Sequence, residues 1–255
     1  MVGAPVISVS VRALGEADIV APRPNRPAPG ALSTLVVAVD GPSGSGKSST
    51  ARGVARRLGL RYLDTGAMYR AVTWWMLRHD VDVGDAVAVA AHAGGPVLRV
   101  GADPEQPSVS VDDVDVSEPI RTREVSNAVS AVSAVPEVRR RLVALQREII
   151  GSGGIVVEGR DIGTVVAPDA QMKVFLIASA EERAQRRTRD LVADQGATLN
   201  VTQAELARRD RLDSTRAASP LTKAGDAVEI DSTLIGLDEV IELVCKLAIE
   251  RAGAS

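Results

Sequence analysis

The sequence predicts an α/β fold built on a parallel sheet core with helices on both faces. Three observations carry this. Short, wholly apolar runs recur along the chain, segments of 3.6-residue periodicity separate them, and a glycine-rich turn joins the first run to the first helical segment. With 255 residues and 45% hydrophobic content, the chain suits one large domain or a core plus a small insert, not three independent domains.

Residues 1–33 contain five prolines and six alanines, a composition too poor in core-forming side chains to offset ordering entropy, so a disordered Pro/Ala-rich tail is expected. The domain then spans 34–255. Leu35 to Val39 is uniformly apolar, as a strand covered on both faces would be. Ala51, Val54, Ala55 and Leu58 form an apolar stripe for a helix from Lys47 to Gly59. Residues 96–116 break the rhythm: 97–100 and 109–111 flank a Pro/Gly/Asp-rich turn and predict a small antiparallel insert. Further strands are expected at 155–157, 173–178 and 227–230, and helices at 137–150, 180–193, 203–213 and 238–251.

Composition excludes several functions. Thirty basic and 33 acidic side chains leave a net charge of -3, too balanced for a dedicated nucleic-acid or membrane-surface binder. The five aromatic residues, Tyr62, Tyr69, Trp74, Trp75 and Phe175, do not form a stacking platform. A single cysteine, Cys245, excludes an internal disulfide and a cysteine-clustered metal site. No apolar run reaches eighteen residues, and Arg12, Glu16 and Asp18 interrupt the N-terminal stretch where a signal peptide would lie. A cytoplasmic protein is expected, without nucleic-acid or membrane partners and acting as a monomer.

Gly41-Pro42-Ser43-Gly44-Ser45-Gly46-Lys47-Ser48, followed by Ser49, lies between the first strand and the first helix and has the pattern of a P-loop. Glycines let main-chain N–H groups converge on phosphate oxygens, and the helix N-terminus adds a favourable dipole. Lys47 reaches the β and γ phosphates of ATP, and the Ser48 hydroxyl is the candidate Mg²⁺ ligand. The base-reading Asn-Lys-x-Asp segment of a switch GTPase is absent, and the chain is short for a motor ATPase. A small kinase leads.

Arginines suggest the acceptor. Arg70 follows the Asp64-Thr65-Gly66 strand end, Arg160 sits in a turn after a strand, and Arg209 and Arg216 bracket Asp213. Guanidinium forks match phosphate oxygens and would screen the repulsion between two phosphates. An ionised phosphomonoester needs no general base. Arg56, Arg57, Arg140 and Arg147 read as solvated charges on helix faces.

Three segments together carry a family resemblance: 39–47 around the P-loop, Tyr62-Leu63-Asp64-Thr65-Gly66-Ala67-Met68-Tyr69-Arg70, and Glu158-Gly159-Arg160-Asp161-Ile162-Gly163-Thr164. From about residue 35 onward the chain resembles the bacterial cytidylate kinases. The resemblance implies transfer of the ATP γ phosphate to CMP or dCMP with Mg²⁺. It places Lys47, Arg70, Arg160, Arg209 and Arg216 in catalysis, Thr65 and Asp213 at the ribose, and Ser130, Arg139 and Asp161 at cytosine. Arg70, Arg160, Arg209 and Arg216 would hold phosphates. It further implies a nucleoside-monophosphate (NMP) binding region at 64–151 and a short helical lid at 182–200, with Arg186 and Arg187 as lid candidates against simple salt bridging. Asp161 could accept from the exocyclic amine of cytosine, which uracil replaces with a carbonyl.

His79, His92 and Cys245 read as packing or solvated residues, and Trp74 and Trp75 as packing against the insert. Glu158, at a strand end, has the chemistry of an outer Mg²⁺ ligand but is not counted among the site residues. The rival readings are a small P-loop kinase with UMP, AMP or a metabolite as acceptor, a non-catalytic ATP-binding regulator, and an RNA-associated protein.

Overall fold

In chain order the elements are β1 (Val36–Asp40), α1 (Lys47–Leu58), β2 (Arg61–Asp64), α2 (Thr65–Arg78), α3 (Ala86–His92), β3 (Leu98–Val100), β4 (Val109–Val111), β5 (Val114–Asp115), α4 (Arg123–Ala134), α5 (Pro136–Ile150), β6 (Ile155–Gly159), β7 (Met172–Ile177), α6 (Ala180–Asp190), α7 (Leu199–Thr215), β8 (Val228–Asp231) and α8 (Leu237–Gly253). A 3₁₀ turn spans Pro119–Arg121 and a π-helical turn spans Ile162–Val166. The computed structural model describes residues 30, 32–190 and 198–253. Most of the expected tail, and residues 191–197 of the expected lid, lie outside the described residues.

Five strands form a wholly parallel sheet in the order β2-β6-β1-β7-β8. Alternate side chains of β1 enter opposite cores. Ala38 joins Leu63, Met68 and Leu142 beneath α2, α4 and α5, while Val37 and Val39 join Val54, Val240 and Val244 beneath α1 and α8. A strand buried on both faces has no solvent side for polar residues, which explains the uniformly apolar run. Burying a side chain the size of Leu63 or Met68 is worth about 1.5–3 kcal/mol.

The insert is a three-stranded antiparallel sheet, β3-β4-β5, one strand more than expected. Asp112 and Asp113 turn the chain from β4 to β5 with φ of 50° and 67°. Aspartates tolerate that left-handed geometry, so the two-residue hairpin lacks the glycine that would have signalled it. Trp74 and Trp75 pack against the insert, and Trp75 Nε1 donates to Asp112 at 2.8 Å.

Helices α3 and α4 were not anticipated. The Ala-Val alternation of α3 reads locally as a strand. In α4, Val125, Val129 and Val132 do recur at helical spacing, but intervening serines weaken the pattern. Helix α7 starts earlier than expected because Thr198 caps it, its hydroxyl accepting from the Val201 amide at 3.4 Å. Arg147 corrects its reading as a solvated charge: its guanidinium donates to the Val165 and Val166 carbonyls and braces the π turn.

Candidate active site

The glycine-rich loop leaves the carboxyl end of β1 and opens α1. Gly44 and Gly46 have φ of 78° and 87°, and Gly46 caps α1 without a side chain, leaving the first helical amides directed at the cleft. Lys47 is buried within the loop, and its Nζ donates to the Pro42 carbonyl at 3.4 Å. Burial, then the charge of Arg160, push its pKa well below the usual lysine range, against the pull of Glu158 and Asp64.

The Ser48 hydroxyl donates to Glu158 Oε2 at 2.8 Å, and the Tyr62 hydroxyl donates to Oε1. Burial, then Asp64, raise the pKa of Glu158. Thr65 Oγ1 donates to the Glu158 carbonyl at 2.7 Å, leaving its lone pairs available as acceptors.

Opposite the loop, buried and partly buried cations converge. Arg70, on α2, donates to Ser126 Oγ at 2.8 Å, and burial with the charges of Arg209 and Arg187 pushes its pKa down to about 9. Arg209, on α7, is pushed down to about 10 by burial and then by Arg160, and its Nε has no hydrogen-bond partner. Cations that crowd and desolvate one another in this way are relieved by a bound anion.

At the far end, Arg139 Nη2 pairs with Asp161 Oδ2, and Nη1 donates to the Ser133 carbonyl at 3.1 Å. The Arg139 guanidinium lies 5.2 Å from the Tyr69 ring centroid, and Arg216 stands 3.6 Å from Asp161 Oδ1. Removing one partner of such a buried pair typically costs about 3–5 kcal/mol. Arg160 Nε donates to Asp213 Oδ2 at 3.1 Å, and Ser130 Oγ to Oδ1 at 3.4 Å, so Ser130 bonds with Asp213 and not with the Arg139–Asp161 pair.

One cleft of about 780 Å³ is lined by 43–49 of the loop together with Thr65, Arg70, Ser130, Arg139, Arg160, Asp161, Arg209, Asp213 and Arg216. Gly41 and Pro42 are not on its wall. Gly41 instead permits a close approach, since a Cβ there would lie 2.2 Å from the Leu176 carbonyl oxygen.

Arg186 both pairs with Glu182 and reaches the Ser45 carbonyl at 3.3 Å and Ser232 Oγ at 3.0 Å. Arg187 lines the cleft and donates to Ser126 Oγ at 3.3 Å. Sequence reasoning missed Arg183, which donates to the Ser43 carbonyl at 3.0 Å, and also Tyr69, Ser232 and Asp40. Tyr69 and Asp40 had a signal because both fall inside the segments that carry the resemblance, and Arg183 had one because it falls inside the expected lid; Ser232 had none.

A nucleotide-phosphate loop on the central strand of a parallel sheet, facing a cleft walled by buried guanidinium groups, defines a P-loop phosphotransferase. Residues 37–250 match the family model described as cytidylate kinase. The chain is 57% identical over 222 residues to the cytidylate kinase of Streptomyces coelicolor, covering 86% of this chain and 95% of that one. It is 54% identical over 225 residues to that of Streptomyces avermitilis, covering 88% and 96%. It belongs to the cytidylate kinase family. Among solved structures, a shikimate kinase from Acinetobacter baumannii in complex with shikimate overlaps 86% of this chain and 96% of its own, at 15% identity and a TM-score of 0.44.

Proposed function

We propose that the enzyme transfers the γ phosphate of ATP to CMP or dCMP, giving CDP or dCDP and ADP. One observation supports this most: a donor loop and a buried cationic wall share a single cleft that ends in the Arg139–Asp161–Arg216 group. An acceptor phosphate oxygen attacks the γ phosphorus, the bond to the β–γ bridging oxygen breaks, and ADP leaves. The acceptor oxygen is already ionised near neutral pH, so positioning and charge neutralisation are the protein's contribution.

Main-chain amides of 43–48 and Lys47 hold the donor phosphates. Arg70, Arg160, Arg209 and Arg216 hold the acceptor phosphate and the charge that develops during transfer. Thr65 and Asp213 take the sugar hydroxyls, and Arg139 and Asp161, with Ser130 beside Asp213, serve the base. Asp161 accepts from the cytosine amine. Uracil sets a carbonyl against it, and leaving the Asp161 lone pair that faces the base without a donor costs about 1–3 kcal/mol, a roughly tenfold to hundredfold preference.

Mg²⁺ suits the donor end because the Ser48 hydroxyl and the Glu158 carboxylate are adjacent hard oxygen ligands. Among the described residues no group of three or more His, Cys, Asp or Glu could hold an ion by itself, so Ser48 and Glu158 would hold it together with oxygens of the nucleotide. Bound there, the ion neutralises phosphate charge. Both nucleotide sites come from one chain, consistent with a monomer, and the single cysteine fits the reducing cytoplasm. No described helix is long and apolar enough to cross a membrane.

A coupled assay over CMP, dCMP, UMP, AMP and shikimate tests the reading. CMP and dCMP should rank first, and CMP below UMP or AMP would overturn it. Asp161→Ala should erode the CMP-to-UMP preference, and an unchanged ratio removes Asp161 from base reading.

A further inference from the structure

We propose that Asp40 is a positioning residue for recognition of the acceptor base: its carboxylate fixes the turn carrying Arg160 and Asp161 in register with the donor loop, which begins one residue later. Asp40 ends β1 and is only 4% exposed. Its two oxygens each receive one main-chain amide, Ile162 N at 2.9 Å on Oδ1 and Gly163 N at 2.8 Å on Oδ2. These amides directly follow Asp161 and open the π-helical turn, whose later amides, Val165 and Val166, return to the Asp161 carbonyl. The first amides of a helical turn have no acceptor within it, so Asp40 supplies what the turn lacks.

The direction of the Asp161 side chain depends on that turn, because its backbone (φ -145°, ψ 25°) is neither helical nor regular strand. Only a carboxylate offers an acceptor to both converging amides. Asparagine would set an N–H donor against one of them.

The inference rests on the reading that Asp161 contacts cytosine. Burial raises the pKa of Asp40 to about 6. The Gly163 and Ile162 amides oppose this, Asp161 adds to it and Arg160 opposes it. Two further cations face this turn: Lys173 on β7, whose side-chain carbons flank Gly163 and whose Nζ is bonded to Asp226, and Arg147 on α5, whose guanidinium donates to the Val165 and Val166 carbonyls. As pH falls through about 6, one Asp40 oxygen becomes a donor and the grip on the turn weakens.

The test compares kcat/KM for CMP and UMP in the wild type, Asp40→Asn, Asp161→Ala and the double variant. Asp40→Asn should lower the CMP-to-UMP ratio at least about fivefold and raise KM for CMP, with KM for ATP within about twofold. In the Asp161→Ala background it should change the ratio by less than about twofold, because the two residues act through one contact. An unchanged ratio in Asp40→Asn, alongside erosion in Asp161→Ala, overturns the role of Asp40 and leaves base reading standing. Equal erosion in both backgrounds also overturns it, and no erosion in Asp161→Ala removes both.

If Asp40→Asn does not fold, the wild-type enzyme carries the test. The Ile162 and Gly163 amide proton shifts should titrate together near pH 6, and the CMP-to-UMP ratio should fall over the same range. Ionisation of the acceptor phosphate is common to both substrates and cancels in that ratio. Amide shifts that titrate while the CMP-to-UMP ratio stays flat overturn the proposal.

Discussion

Arg160 Nε lies 3.1 Å from Asp213 Oδ2, joining the turn after β6 to α7 across 53 residues of sequence. With Ser130 Oγ on the other oxygen, one carboxylate ties three elements together and offsets the charge of a cation crowded by Arg209. Burial works to raise the pKa of Asp213, but Arg160, Arg209 and Arg216 together hold it below the usual carboxylate range.

Asp213→Asn should therefore leave Arg160 without its counter-ion and remove an acceptor for the sugar hydroxyls. Steady-state kinetics should show KM for CMP raised at least about tenfold and the CMP-to-dCMP ratio moving toward unity. Unchanged values for both would remove Asp213 from the sugar site.

Lys47→Ala should reduce turnover at least about a hundredfold while the thermal midpoint stays close to wild type, since Ala51, Val54 and Ala55 keep α1 in its core. Lys47 also links ATP binding to pH. Without nucleotide its pKa is depressed, and donor phosphates raise it, so ATP binding takes up protons and weakens as pH rises between the two values. Calorimetry at about pH 8 in buffers of different ionisation enthalpy should detect that uptake. Lys47→Ala should abolish it.

Gly41→Ala places a Cβ 2.2 Å from the Leu176 carbonyl oxygen at φ 155°, whereas Gly59→Ala meets nothing within 4 Å at φ 66°. Gly59→Ala should cost about 1 kcal/mol from the left-handed backbone alone. Gly41→Ala should cost distinctly more and weaken ATP binding, because β1 and β7 must separate to admit it. Denaturant unfolding of the two variants side by side checks the order.

Deleting residues 1–30 should leave kcat/KM within about twofold and shift the thermal midpoint by no more than about 3 °C, on composition grounds. A larger shift would mean that the Pro/Ala-rich segment packs on the domain.

Much of the donor half was legible because it is local: the loop, the strand before it and the helix after it are contiguous, and each residue type follows from what a phosphate needs. The insert and β6, β7 and β8 were legible from apolar runs, whereas only the end of β2 was read, β5 was hidden by an Asp-Asp turn and α3 by a strand-like alternation. Helix α4, which carries Ser126, Ser130 and Ser133 on its buried side, was masked by its serines. Ser130 was therefore known only through the family resemblance.

The sequence by itself determined that a phosphate loop would sit at the carboxyl end of a buried parallel strand, since composition and spacing over some 25 residues suffice for that. Only the tertiary structure decided which charges meet. The crossovers that produce the order β2-β6-β1-β7-β8 bring Arg70, Arg139, Asp161, Arg209 and Asp213 to one wall, and they pair Asp40 with amides 122 and 123 residues away. Local periodicity specifies which face of an element is buried. It does not specify which distant element covers that face, and the partners of a buried charge are set by that second choice.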